Sequence, residues 1–108
     1  MKAISRDELV DRLRTHEDLT LVEVLGEEAY NTFHLPRAIN VPLGDGFDER
    51  IQEAVPDKSA TVVVYCKNTE CRASPKAARR MDELGYRDVL DYEAGKEDWK
   101  AAGLPTEP

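Results

Sequence analysis

Residues Thr61-Val62-Val63-Val64-Tyr65 are β-branched or apolar at successive positions, without the polar alternation of a strand that has one wet face. Such a run suits a strand covered on both sides. It predicts an α/β architecture: a mostly parallel central sheet flanked by helices on both faces and joined by right-handed crossovers. The residues after the run sharpen the prediction. Cys66 follows directly, then the polar stretch Lys67-Asn68-Thr69-Glu70-Cys71-Arg72-Ala73, then Ser74-Pro75, which reads as an N-cap and first-turn pair. Ala77, Ala78, Met81 and Leu84 supply one apolar stripe of the ensuing helix, and Gly85 suits its left-handed end.

The flanking sequence repeats the alternation of strand and helix. Ser5 with Glu8 forms a capping-box pattern that opens a helix over Arg6–Arg14, with Leu9, Val10 and Leu13 on one face. Leu19–Val24 reads as a strand, followed by a short helical segment carrying Ala29, Tyr30 and Phe33 that ends at His34-Leu35-Pro36. Ala38–Val41 is a short strand, and Phe47, Ile51, Ala54 and Val55 recur at helical spacing up to Pro56. Val89–Tyr92 is the last predicted strand, and Trp99 is expected to anchor a final helix in the core.

At 108 residues, with no linker and no internal repeat, the chain is expected to form one domain. Its longest apolar run falls far short of the roughly 20 residues of a membrane-spanning helix, and the N-terminus breaks into charges before a signal-like stretch develops. A cytoplasmic protein is therefore expected. The 15 basic and 22 acidic residues give a net charge of -7, which argues against nucleic acid or an anionic membrane surface as partner. A small anion would need a local cradle. Two cysteines do not make the framework of a small secreted domain, and no metal is expected, because His16 and His34 lie far from them in sequence.

Cys66 occupies the place where ligands collect in open parallel sheets, at the carboxyl end of a strand and before a helix N-terminus. Amides of the loop, the positive end of the helix and the charges of Lys67 and Arg72 would all favour thiolate over thiol there. An inert buried cysteine is the commoner fate of a thiol after a valine-rich strand, but a strand end opening into a polar loop is a poor place to hide one.

Several segments, in order, carry a family likeness: Leu21-Val22-Glu23-Val24 with Glu28-Ala29-Tyr30; His34-Leu35-Pro36-Arg37-Ala38-Ile39-Asn40-Val41-Pro42-Leu43; Val63-Val64-Tyr65-Cys66; Ala77-Ala78; Leu84-Gly85-Tyr86; and Trp99 before Ala102-Gly103-Leu104-Pro105. The chain resembles a single-domain rhodanese over nearly its whole length. That resemblance implies a sulfurtransferase without cofactor. Cys66 is its nucleophile, and residues Lys67, Asn68, Thr69, Glu70, Cys71 and Arg72 form the substrate-binding loop. Its partners would be a small sulfur-donor anion, such as thiosulfate, or a protein persulfide. The sulfur is then carried as a persulfide and handed to an acceptor such as cyanide or a thiol.

The chain also departs from the family pattern. Leu25 stands where an arginine is common, which removes the usual cationic partner of the carboxylate at Glu23; Phe33 replaces a glycine before the histidine, and Ala94-Gly95 replaces paired glycines. Typical sulfurtransferase members close a six-residue ring, whereas Cys66 to Arg72 counts seven. Seven is the length in rhodanese-fold phosphatases and arsenate reductases, so that activity is an alternative, supported by Arg72 and opposed by Glu70 and by Tyr65 in the place of their histidine. A non-catalytic sulfur-carrying or sulfur-sensing module is another. Cys71 is able to approach Cys66 within disulfide range, and either resolves a Cys66 persulfide, protects Cys66 from overoxidation, or packs against the following helix. His34 matches a family histidine expected to make structural hydrogen bonds, His16 reads as a solvated loop residue, and Asp45, Asp48, Glu49 and Glu53 as a wet helix face.

Overall fold

The computed structural model describes residues 1–15 and 18–108, so His16 lies outside the described residues. Five strands form one sheet in the order β1-β5-β4-β2-β3, every neighbouring pair parallel: β1 Lys2–Ala3, β2 Leu19–Glu23, β3 Ile39–Asn40, β4 Thr61–Tyr65 and β5 Asp88–Tyr92. The helices are α1 Arg6–Arg14, α2 Glu27–Thr32, α3 Phe47–Ala54, α4 Ala73–Glu83 and α5 Gly95–Ala101. The valine run takes the central position, pairing with β2 on one side and β5 on the other. Its alternate side chains enter two separate cores: Val62 and Val64 pack with Phe47, Ile51, Ala77, Ala78 and Met81 of α3 and α4, while Val63 and Tyr65 pack with Leu9 of α1 and Trp99 of α5. Helices thus cover both faces, as the uninterrupted apolar run requires.

Local chemistry explains most element ends. Ser5 and Glu8 close the capping box in both directions at the start of α1. Trp99 is buried and donates its indole N–H to the Pro105 carbonyl at 2.7 Å, which holds the departing tail. His34 is structural in its contacts: its ring stacks on Tyr30, Nδ1 lies 2.9 Å from the Tyr30 carbonyl, and its backbone pairs with Glu107. Asp48 is more than a wet position. Arg80 of α4 binds its carboxylate, which holds it below the usual carboxylate range and ties α3 to α4. Strand β1 escapes prediction because two exposed residues carry no apolar pattern; backbone pairing to Leu90 and Asp91 alone defines it.

Glu23 and Lys96 make a fully buried ion pair, Nζ to Oε2 at 3.0 Å. Lys96 Nζ also donates to the carbonyls of Ala29 at 2.7 Å and Phe33 at 2.8 Å, satisfying the end of α2. The cation missing from position 25 is therefore supplied from α5, beyond the last strand. One carboxylate oxygen of Glu23 has no hydrogen-bond partner, so the pair is incompletely compensated for its desolvation. Lys96→Met is expected to lose about 3–5 kcal/mol in urea unfolding, because it strands a buried carboxylate. Adding Glu23→Leu to that variant is expected to recover at least half of the loss.

Candidate active site

The site is built where β4 stops. Cys66 is the residue after the strand, and its carbonyl accepts the Lys96 N–H at 3.0 Å; the next carbonyl, of Lys67, accepts the Glu97 N–H at 3.0 Å. The first turn of α5 thus grips the first two peptides of the loop. Gly95 makes the grip possible: its φ is +76°, and a Cβ there would lie 2.6 Å from the Lys67 carbonyl carbon and oxygen.

Against the expectation of a thiol presented at the strand end, the Cys66 side chain turns into the α3/α4 core, 1% exposed, on the same face as Val62 and Val64. Its Sγ receives the backbone N–H of Ser74 at 3.4 Å, in the first turn of α4. This corrects the expected cap. Helix α4 begins at Ala73 with Arg72 as N-cap and no side-chain cap bond, and Ser74 is a buried residue of the first turn. The sulfur takes the place of the capping oxygen, because the strand end delivers it to an amide with no partner inside the helix. A negative charge on that sulfur would sit at the positive end of the helix.

The rest of the loop departs from the expected ring of amides around the sulfur. Asn68 Oδ1 accepts the N–H of Glu70 at 3.0 Å and of Cys71 at 3.2 Å, and its Nδ2 donates to Glu97 Oε1 at 2.9 Å. Asn68 thereby bends the chain back on itself, and Cys71 and Cys66 are joined as a disulfide with their Cα atoms 6.4 Å apart. Lys67 is exposed and pairs with Glu97 at 3.8 Å, while Thr69 and Glu70 are exposed. Arg72 is exposed. It lines a cleft of about 250 Å³ together with Thr69, Cys71, Pro75, Arg79 and Glu93. Arg79, two helical turns along α4 from Arg72, escaped the sequence reading, although a seven-residue spacing in a helix places two side chains on one face.

Asp91 is a second residue the sequence reading missed. It faces Val64 across β4–β5 and is wholly buried. Burial pushes its pKa up, with Ser74 of α4 opposing the shift and Glu93 adding to it.

The comparisons agree with this architecture. A family model of the rhodanese-like domain matches residues 5–102. The chain belongs to the rhodanese-like family. It is 37% identical over 105 residues to an HTH-type transcriptional regulator of Mycobacterium tuberculosis, covering 97% of this chain and 44% of that protein. It is 43% identical over 68 residues to the thiosulfate sulfurtransferase PspE of Escherichia coli, covering 63% of this chain and 62% of that one. The rhodanese-like chain thus spans less than two thirds of either relative. The crystal structure of the BH2092 protein from Bacillus halodurans superposes with a TM-score of 0.87 at 26% identity, over 98% of this chain and 76% of that one.

The buried carboxyl gives a pH signature. With its folded pKa raised, Asp91 binds more protons in the native than in the unfolded chain, so its contribution is most favourable below the ordinary carboxylate range and is lost as pH rises through the folded value. Asp91→Asn is expected to unfold at a higher temperature than wild type at pH 7, and the gap should narrow toward pH 4 in parallel thermal melts.

Proposed function

We propose that this rhodanese-like chain is a sulfurtransferase whose nucleophile is Cys66. In the reduced protein the Cys66 thiolate attacks the outer sulfur of thiosulfate, the bond from that sulfur to the sulfonate breaks, and sulfite leaves with its electron pair. The transferred sulfur stays on Cys66 as a persulfide until a thiophilic acceptor, cyanide or a thiol, removes it. A protein persulfide would serve as donor by the same displacement. The observation that carries this reading is the Ser74 amide directed at Cys66 Sγ from the first turn of α4, which favours the anionic sulfur. The thiosulfate sulfurtransferase PspE, among the relatives, supports it.

Charge brings the donor in. Against a net charge of -7, Arg72 and Arg79 line the cleft beside the loop and supply the local positive field that a small anion needs. No metal-binding cluster and no helix long and apolar enough to cross a membrane occurs among the described residues, and neither is needed by the chemistry. A cytoplasmic setting, where thiol pools keep cysteines reduced, suits a site that works through a thiolate.

The seven-residue loop fits phosphoryl transfer less well. The amides of residues 70 and 71 are taken by Asn68, Glu70 adds negative charge beside the loop, and Tyr65 points into the opposite core, where its hydroxyl accepts the Leu35 N–H at 3.2 Å. The regulator among the relatives supports a second reading, in which the same persulfide chemistry serves a sulfur-sensing module.

Thiocyanate production from thiosulfate and cyanide by the reduced protein is expected, falling to the uncatalysed rate in Cys66→Ser, with negligible hydrolysis of an aryl phosphate by either. Rapid phosphate release without thiocyanate would transfer the assignment to a phosphatase. In the same assay Arg72→Ala/Arg79→Ala is expected to raise the KM for thiosulfate by about 3- to 10-fold, with the difference shrinking as salt screens the cleft.

A further inference from the structure

The two sulfurs of the disulfide are unequal. Cys66 Sγ is buried at the first turn of α4 and receives an amide N–H, whereas Cys71 is partly exposed and lines the cleft that carries Arg72 and Arg79. In thiol–disulfide exchange the accessible sulfur is the one attacked, and the thiolate that is better stabilised leaves faster. An incoming thiolate therefore meets Cys71 and expels Cys66 as an anion, which is the form the donor reaction needs. The loop is also fixed for closure. Asn68 holds the amides of Glu70 and Cys71, and the Cα separation of 6.4 Å lies within the ordinary disulfide range.

We propose that Cys71 is the resolving thiol for the sulfur loaded on Cys66, so that the chain converts the sulfane sulfur of thiosulfate to sulfide and is returned to its dithiol form by an external dithiol entering through the Arg72–Arg79 cleft. This rests on the sulfurtransferase reading for the loading step. In the step that follows, the Cys71 sulfur attacks Sγ of Cys66, the Cys66–Cys71 bond forms, and the bond from Cys66 to the transferred sulfur breaks. That sulfur leaves as hydrosulfide, taking the bonding electron pair and the proton Cys71 gives up. The sulfane sulfur is reduced by two electrons and the two cysteines are oxidised to the disulfide. One thiolate of the external dithiol then attacks Cys71, Cys66 leaves as thiolate, and the second thiol of the reductant displaces Cys71, leaving the reductant as a disulfide. Overall, thiosulfate and a dithiol give sulfite, sulfide and a disulfide.

The experiment separates the two layers. The reduced, desalted protein is mixed anaerobically with thiosulfate and no reductant, and sulfite, sulfide and the intact mass of the chain are measured for wild type, Cys71→Ser and Cys71→Ala. Wild type is expected to release one sulfite and one sulfide per chain and to end at the mass of the dithiol less two hydrogens. The Cys71 variants are expected to release sulfite, to keep the added sulfur as a mass gain of one sulfur atom, and to give no sulfide above the blank. Adding dithiothreitol to wild type is expected to make sulfide production catalytic. Wild type that releases sulfite yet retains the sulfur overturns the role of Cys71 and leaves the sulfurtransferase reading standing, and this arm needs no variant to fold. Absence of sulfite from wild type overturns the loading step and the resolving role of Cys71 with it.

Discussion

The contact on which the site depends is the seating of the α5 N-terminus against the end of β4. Two consecutive loop carbonyls, of Cys66 and Lys67, accept the N–H groups of Lys96 and Glu97. The approach is so close that position 95 has room for hydrogen and nothing larger. The same turn sends the Lys96 ammonium in the other direction, to Glu23 at the end of β2 and to the carbonyls that close α2. One turn of helix thus fixes both the origin of the loop after β4 and the neighbouring strand end. The cysteine is therefore held by the sheet on one side and by two helix starts, α4 and α5, on the other.

Electrostatics at the site are local against an opposing global field. The chain is acidic, yet the sulfur meets an amide of α4, and the cleft alongside gathers two arginines from one face of that helix. Asp91 would spoil this arrangement if it were ionised. Its burial raises its pKa and so works against that ionised form.

Where side-chain pattern dictates structure, the sequence was legible. The valine run became the doubly covered centre of the sheet, the capping box opened α1, Trp99 entered the core and Cys66 stood at the strand end, because each depends on burial period or on a local hydrogen bond. What escaped depends on contacts distant in sequence. Nothing near Lys96 signals that its ammonium will be buried against Glu23, 73 residues away. Strand β1 is defined by backbone pairing alone. Asp91 did leave a trace, a charged residue inside the otherwise apolar stretch Val89–Tyr92, and a charge at a two-sided buried position deserves to be read as chemistry or strain. The Ser74 cap was misread because the competing acceptor was a sulfur eight residues earlier, which no helix-start rule includes.

The length of the loop takes on a different meaning once its hydrogen bonds are known. Counted as a string, seven residues from Cys66 to Arg72 match a ring that encloses a tetrahedral oxyanion, and that count favours phosphate. A ring of that kind works only if its amides converge on the guest. Here two of them converge instead on the Asn68 side chain, and the resulting turn delivers a second cysteine to the first. What the loop brings together is then two sulfurs of the chain itself, and Arg72 and Arg79 line one cleft beside them. Loop length sets how many amides are available, and the side chain that claims them decides what the loop can hold.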